Sequence, residues 1–209
     1  MYVPPAFSVA DRDFALDLIA RYPFGLLLGC DAAFPYATHL PMLALQRDGE
    51  LWIAGHVARA NPHARAILEA EPATAVFSGP HAYVSAGWYE EPATNVPTWN
   101  YTAAHASGRL EQREAGAILG LLTAVFERER AQPWELEGMD AAYYENQLRG
   151  IVAFEMRVER LVCAAKLSQN RTSADRGRVV EELSRSSRPL DRDCAQAMRD
   201  VARGGQSPP

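Results

Sequence analysis

The stretch Gly55-His56-Val57-Ala58-Arg59-Ala60-Asn61-Pro62 follows the apolar run Leu51-Trp52-Ile53-Ala54 and precedes a helical pattern over residues 62–68. Asn61 is a residue type favoured as a helix N-cap. Pro62 suits the first helical position, where its missing N–H costs nothing. The order of these residues predicts a strand, a loop and the start of a helix.

Such a loop suits an anion. The free N–H groups and the positive dipole end of a helix attract negative charge. Arg59 adds a planar donor fork that matches phosphate oxygens, and one charge-assisted contact of this kind contributes roughly 1.5–3 kcal/mol. His56 precedes Arg59, and an imidazole changes its charge near pH ~6.5. The loop is therefore predicted to bind a phosphate group, with His56 as the histidine best placed for a functional role.

Further strands and helices are predicted on both sides of this loop. Asp48-Gly49 is expected to form a tight type I′ hairpin turn, and Gly79-Pro80 to separate two strands. Six or seven strands with few helices between them favour an α+β fold, an antiparallel barrel with peripheral helices. The predicted strands are 24–30, 36–46, 51–55, 73–79, 81–85, 97–108 and 151–163, and the predicted helices are 11–21, 61–70 and 111–130.

The bulk properties are those of a globular protein of 209 residues, 48% of them hydrophobic and 22% charged. No apolar run reaches the length of a membrane span, and the N-terminus has no signal-peptide pattern. The three cysteines are too far apart in sequence for a metal or redox motif, and Cys30 in its apolar strand is expected to be buried and unreactive. A reduced, cytoplasmic setting is expected.

Charge divides the chain unevenly. Residues 1–165 contain 12 basic and 20 acidic residues, whereas residues 166–209 contain 9 and 6. We predict a domain over 1–165 and a helical C-terminal appendage over 166–209, with helices near 175–185 and 191–201 and a disordered end at 204–209. The appendage is either a solvated helical segment or an arm that contacts an anion such as DNA. The arginines available for DNA are Arg171, Arg176, Arg178, Arg185 and Arg188.

A cluster of aromatic residues is the second feature that suggests a ligand site. Tyr83, Trp88, Tyr89, Trp99 and Tyr101 fall within 19 residues. Such a cluster belongs either to a core or subunit interface, or to the site of a flat heteroaromatic ligand. The polar run after residue 165 likewise has two interpretations, a turn that fastens the C-terminal segment or a contact to a ligand phosphate. No two histidines have metal-ligand spacing.

Several stretches together resemble the PaiB-like proteins, which are FMN-binding negative transcriptional regulators with the split-barrel fold of flavin reductases. The resemblance covers about residues 1–185. One departure is Ser85-Ala86-Gly87-Trp88-Tyr89, where the family usually has Ser-Pro-Ser-Trp-Tyr. The stretches that carry the family resemblance are Met1-Tyr2-Val3-Pro4-Pro5-Ala6-Phe7, Gly55 to Pro62, Phe77 to Ser85, Trp88-Tyr89, Val96 to Tyr101, and Lys166-Leu167-Ser168-Gln169-Asn170-Arg171.

The resemblance implies a homodimer of split barrels that binds FMN in a groove between them. It implies a cytoplasmic transcriptional regulator. A flavin reductase or oxidase and a haem-binding split-barrel protein are the alternatives. The implied cofactor-binding residues are His39, Pro41, Met42, Gly55, His56, Arg59, Ala60, Asn61, Tyr83, Ser85, Trp99 and Asn100.

Overall fold

Two compact units make up the structure, a computed structural model that describes residues 1–31 and 33–203. Unit 1 contains residues 1–11, 78–104 and, in the described part, 162–203; unit 2 contains residues 12–77 and 105–161. The domain limits predicted from charge, 1–165 and 166–209, stay a prediction. The predicted disordered end, 204–209, lies outside the described residues.

The described residues form nine strands and six α-helices, an antiparallel sheet with α+β content. The predicted α+β split-barrel class is confirmed. Seven strands pair in the order β3-β2-β6-β7-β8-β5-β4, and β9 pairs with β1 and β7. The strands are β1 Ser8–Val9, β2 Phe24–Cys30, β3 Pro35–Pro41, β4 Leu43–Arg47, β5 Glu50–Ala58, β6 Pro72–Val84, β7 Thr98–Arg113, β8 Ile151–Arg157 and β9 Arg160–Lys166. The helices are α1 Arg12–Arg21, α2 Pro62–Leu68, α3 Ala115–Glu127, α4 Ala141–Arg149, α5 Ser173–Arg185 and α6 Pro189–Arg203.

Local turn chemistry was a good guide in unit 2. β2 has the predicted bounds, and Asp48 and Gly49 have φ angles of 51° and 76°, as a type I′ turn requires. The turn joins β4 to β5 in the register Arg47↔Glu50. It therefore fixes which residues of β5 face the core, where Ile53 and Val57 lie buried.

Some predicted boundaries were wrong. β6 runs without a break through Gly79-Pro80, because the φ angle of proline also lies in the β region and the ring removes only one N–H. The predicted helix over 111–130 starts late, since Glu111 and Arg113 still pair with β8. The predicted strands 36–46 and 151–163 are each two strands, and α4 was not predicted.

Cys30 also differs from its prediction. It is the last residue of β2, and its side chain is exposed rather than buried. Cys163 and Cys194 in unit 1 are buried.

The C-terminal helices of unit 1 confirm the predicted helical segment, as α5 and α6 pack on each other. Several of their arginines pair locally: Arg178 contacts Asp175 at 3.0 Å and Glu90 at 3.5 Å, and Arg185 contacts Glu181 at 2.5 Å. Among the helices of the described residues, none is long and apolar enough to cross a membrane.

Candidate functional site

The loop between β5 and α2 is held by a polar cluster at the start of the helix. The Asn61 side-chain oxygen accepts hydrogen bonds from the His63 backbone N–H at 2.9 Å and from the Thr38 hydroxyl at 3.1 Å. Asn61 is thus the N-cap of α2 that its residue type predicts. Thr38, on β3, was not predicted, because it stands 23 residues before Asn61 in the sequence and meets it only in the folded chain.

His63 is the residue at the centre of this cluster. Its Nδ1 lies 2.9 Å from the Thr38 hydroxyl oxygen. The Thr38 hydroxyl has one hydrogen, which it donates to Asn61, so the Nδ1–H of His63 must be the donor to Thr38. The side chain is fully buried beside the Tyr36 ring, at 4.5 Å between centroids, and burial lowers the pKa of His63 to about 4. His63 is therefore a neutral internal residue of unit 2 at neutral pH.

Arg59 is anchored to the end of α4. Its Nε donates to the carbonyl of Arg149 at 2.7 Å, and its Nη2 donates to the carbonyl of Ile151 at 3.0 Å. In the part of the chain that the structure describes, Nη1 makes no hydrogen bond, so this nitrogen keeps donors for an anion. The side chain is exposed. Its predicted contact with a phosphate stays a prediction.

His56 differs from its sequence expectation in charge. Burial lowers the pKa of His56 below its usual value of 6.5, because the charged ring is disfavoured away from water. Its Nδ1 is buried and, within the described residues, has no hydrogen-bond partner. A buried polar atom of this kind is costly unless something completes its bonding.

The strand residues predicted to bind the cofactor differ in exposure. His39 is exposed on β3, where its ring stacks with that of Phe24 at 6.2 Å between centroids. Pro41 is half-buried at the end of β3. Met42 and Gly55 are buried, and a Cβ at Gly55 would lie 3.3 Å from the Met42 side chain. These last two residues therefore belong to the core in this structure.

Unit 1 contains the aromatic surface. Trp99 on β7 is 48% exposed and Tyr83 on β6 is 44% exposed, and their rings meet edge-on at 6.0 Å between centroids. His81 lies 6.3 Å from the Trp99 ring. Ser85 begins a short 3₁₀ turn by accepting a hydrogen bond from Gly87, so a turn made without the family's proline still leads into Trp88. The exposed rings offer a flat ligand an aromatic face.

Asn100, next to Trp99 on β7, is buried, and its side-chain amide makes hydrogen bonds within unit 1. Its Nδ2 donates to the Ser168 hydroxyl at 2.9 Å, and that hydroxyl donates back to Oδ1 at 3.2 Å. Gln169 ties the same turn to the backbone of Ala165 and Leu167. These bonds support the interpretation of the polar run as a turn that fastens the C-terminal segment. The predicted contact of Asn100 with a cofactor stays a prediction.

The predicted site residues thus fall into two sets, one in each unit. The set in unit 2 is His39, Pro41, Met42, Gly55, His56, Arg59, Ala60 and Asn61, and the set in unit 1 is Tyr83, Ser85, Trp99 and Asn100. In unit 2, the exposed Arg59 guanidinium with spare donors suits a phosphate, and the unpartnered His56 nitrogen suits a polar edge of FMN. In unit 1, the exposed rings suit an isoalloxazine.

Solved structures share this split-barrel fold. The FAD and heme binding protein from Mycobacterium smegmatis matches with a TM-score of 0.56 and 17% identity, covering 76% of this chain and 73% of that one. The flavocytochrome Anf3 from Azotobacter vinelandii matches with a TM-score of 0.56 and 14% identity, covering 80% and 70%. At these identities the likeness shows the fold alone.

Sequence comparison identifies the family. The profile of the family described as "Putative FMN-binding domain" matches residues 1–160. The Bacillus subtilis "Protease synthase and sporulation protein PAI 2" is 35% identical over 203 residues, which are 96% of this chain and 97% of that protein. The chain belongs to this PaiB-like FMN-binding family, and FMN is its cofactor.

Proposed function

We propose that this protein is a cytoplasmic, homodimeric, FMN-binding negative regulator of transcription. The observation that carries the proposal is the 35% identity to the Bacillus subtilis relative along nearly the whole of both chains. That relative is named for protease synthase and sporulation, and its name is consistent with control of gene expression. A transcription assay with the purified protein and its own upstream region tests the role: repression supports it, and unchanged transcript levels contradict it.

The FMN contacts are proposed from exposure and donor chemistry. Arg59, Ala60 and Asn61 bind the phosphate, because the Arg59 guanidinium is exposed and the Asn61 amide nitrogen makes no hydrogen bond among the described residues. In unit 2, the proposed FMN contacts on the strands are His39, Pro41 and His56. In unit 1, the proposed FMN contacts are Tyr83, Ser85 and Trp99. Met42, Gly55 and Asn100 are buried, so they support these residues from the interior. The bound flavin supplies redox chemistry, while these residues bind and orient it.

The homodimer is supported by an apolar face in unit 2. Phe24 is 67% exposed and Leu28 is also exposed on the same side of β2, with Leu26 between them. Alternate residues of a strand share a face, so these side chains form one apolar strip. A second copy would cover it. Sedimentation analysis of Phe24→Asp should give a monomer, and an unchanged dimer would exclude this face.

Direct DNA binding is proposed for the C-terminal helices. Arg176 on α5 has no ion-pair partner among the described residues, unlike Arg178 and Arg185. Replacing Arg176 with Gln should weaken DNA binding and reduce the salt slope by about 1 if it contacts a phosphate. Arg128→Gln, on the end of α3, removes the same charge elsewhere and should change neither. Binding that is unchanged in Arg176→Gln contradicts this contact.

A flavin-dependent oxidoreductase is the second candidate. It is favoured by the fold shared with proteins named as flavin and haem binders. Fold likeness alone does not establish an activity. Absorbance of the purified protein separates a flavin from a haem, and flavin-dependent oxidation of NADH or NADPH would support the reductase. No turnover with bound FMN would contradict it.

A further inference from the structure

Unit 2 contains a cavity that none of the predicted FMN contacts lines. Its volume is about 400 Å³, which is in the range of small-molecule sites. It lies where the end of β2, the start of β6 and the middle of β7 meet the turn before β9. The residues that line it are Leu28, Gly29, Cys30, Pro72, Ala73, Thr74, Ser107, Gly108, Arg109, Glu159 and Arg160.

The walls of the cavity are built by close backbone approach. A Cβ at Gly108 would lie 2.0 Å from the carbonyl oxygen of Arg157, so only glycine allows β7 to come this close to the end of β8. Ala73 and Gly29 likewise add little side-chain volume. The close approach of the strands therefore forms one part of the wall, and the exposed side chains of Leu28, Cys30, Arg109, Glu159 and Arg160 line the rest.

The polar groups in the cavity favour negative charge. Arg109 has one donor engaged, from Nη1 to the carbonyl of Ala70 at 3.2 Å, and neither Arg109 nor Arg160 has an ion-pair partner in the described chain. Glu159 is the one carboxylate in the lining. Two guanidinium groups against one carboxylate leave an excess of positive charge, which a bound anion would balance.

A hydroxyl pair adds a further donor. The oxygens of Thr74 and Ser107 are 2.9 Å apart, and either can donate to the other. Whichever donates, the second hydroxyl keeps its own hydrogen for a ligand. The cavity thus offers two donor forks and one hydroxyl donor.

We propose that this cavity is a second ligand site, separate from FMN, for a small dianion such as a phosphate monoester or a dicarboxylate. Two arginine forks match two negative charges or one doubly charged group. The volume admits a molecule of metabolite size. A phosphate monoester and a dicarboxylate both carry two negative charges. Inorganic phosphate serves as the probe for the first class and succinate as the probe for the second.

Cys30 provides the readout, because its exposed thiol lines the cavity. It lies on the side of β2 that the proposed second copy would cover, so the alkylation is measured in the Phe24→Asp background as well as in the wild type. The other two thiols are buried, and burial raises the pKa of Cys163 to about 11 and of Cys194 to about 12. N-ethylmaleimide at neutral pH should therefore modify Cys30, and mass spectrometry verifies the position. The alkylation rate is measured against phosphate and against succinate, with ionic strength held constant by sodium chloride.

We expect phosphate, succinate or both to slow the alkylation of Cys30 along a saturable curve. Arg160→Gln and the double variant with Arg109→Gln should raise the half-saturating concentration by about tenfold or more, since charge-assisted bonds are lost. Arg128→Gln should leave it unchanged. Slowing by phosphate alone assigns the phosphate class, and slowing by succinate alone assigns the dicarboxylate class.

Three results would overturn the proposal: no effect of either probe, the same effect from sodium chloride, or equal protection in the wild type and in Arg160→Gln. A titration with FMN keeps this site distinct from the cofactor site. The arginine variants should bind FMN as the wild type does. A tenfold loss of FMN affinity in Arg160→Gln would make the cavity part of the flavin site and contradict a separate one.

Discussion

Two asparagines predicted for the same ligand, Asn61 at the start of α2 and Asn100 on β7, have different bonding in the fold. The Asn61 oxygen caps the helix, while its amide nitrogen makes no hydrogen bond among the described residues. The Asn100 amide is bonded at both ends and is 1% exposed. The comparison teaches that a residue type suited to a ligand becomes available only where the fold leaves part of its bonding capacity unused.

The largest expected effect concerns His63, beside Asn61. Its pKa is lowered to about 4 in the folded chain, against an ordinary value of 6.5, so the unfolded chain binds the proton more readily between these values. Stability present above pH 6.5 is therefore lost as the pH falls towards 4, by up to roughly 3 kcal/mol. Urea unfolding across this range measures it.

The matched variants for this prediction are His63→Phe and Thr38→Val. His63→Phe removes the titrating ring and should flatten the fall in stability between pH 6.5 and 4. Thr38→Val removes the hydroxyl partner but keeps the histidine, so most of the slope should remain. An identical slope in His63→Phe and the wild type would contradict the buried neutral ring.

The next largest effect is expected at Arg59, two residues before Asn61. Replacing it shows whether the unused donors of its guanidinium bind the cofactor. Arg59→Ala should weaken FMN binding by about 1.5–3 kcal/mol, which is roughly 10- to 150-fold in Kd. Fluorescence titration measures the change. Arg65→Ala, an exposed arginine on α2 paired with Glu69 at 3.8 Å, removes the same charge and should have little effect. A folded Arg59→Ala protein with wild-type affinity would remove Arg59 from the phosphate site.

Replacing Asn100, the asparagine whose amide is fully bonded, is expected to change stability. Asn100→Ala leaves the buried Ser168 hydroxyl without its partner and should lower the free energy of unfolding by about 1–3 kcal/mol. A double-mutant cycle with Ser168→Ala isolates the pair. If the two single effects add up to the effect of the double variant, the interaction energy between the Asn100 and Ser168 side chains is zero, which would contradict this prediction.

The smallest effect is expected at Asn61 itself. Asn61→Ala removes the N-cap of α2 and should cost about 1 kcal/mol of stability, whereas Asn61→Ser keeps a capping oxygen and should cost less. Thermal melting of the two variants measures the difference. Equal melting temperatures for Asn61→Ala and the wild type would show that the cap has no stabilising role here.

Elements governed by neighbours in sequence were predicted well. The Asp48-Gly49 turn and the Asn61 cap each follow from conformational preferences of one or two residues. The start of α3 was predicted too early because Glu111 and Arg113 pair with β8, about 40 residues further along the chain. A single sequence contains no direct signal for such long-range pairing.

The candidate site shows the same limit. The sequence identifies Arg59 as a donor, but its bonds to the carbonyls of Arg149 and Ile151 depend on α4, which the pattern did not predict. The exposure of Cys30 likewise depends on which strands cover the end of β2. Residue type could be predicted from the sequence, whereas spare bonding capacity could not.

The most direct test of the account is a titration of the purified protein with FMN, followed by tryptophan and flavin fluorescence. We predict saturable binding of about one FMN per subunit, with tryptophan quenching that is reduced in Trp99→Phe because the Trp99 ring is exposed among the proposed contacts. Absence of saturable FMN binding by the folded wild-type protein would contradict the account.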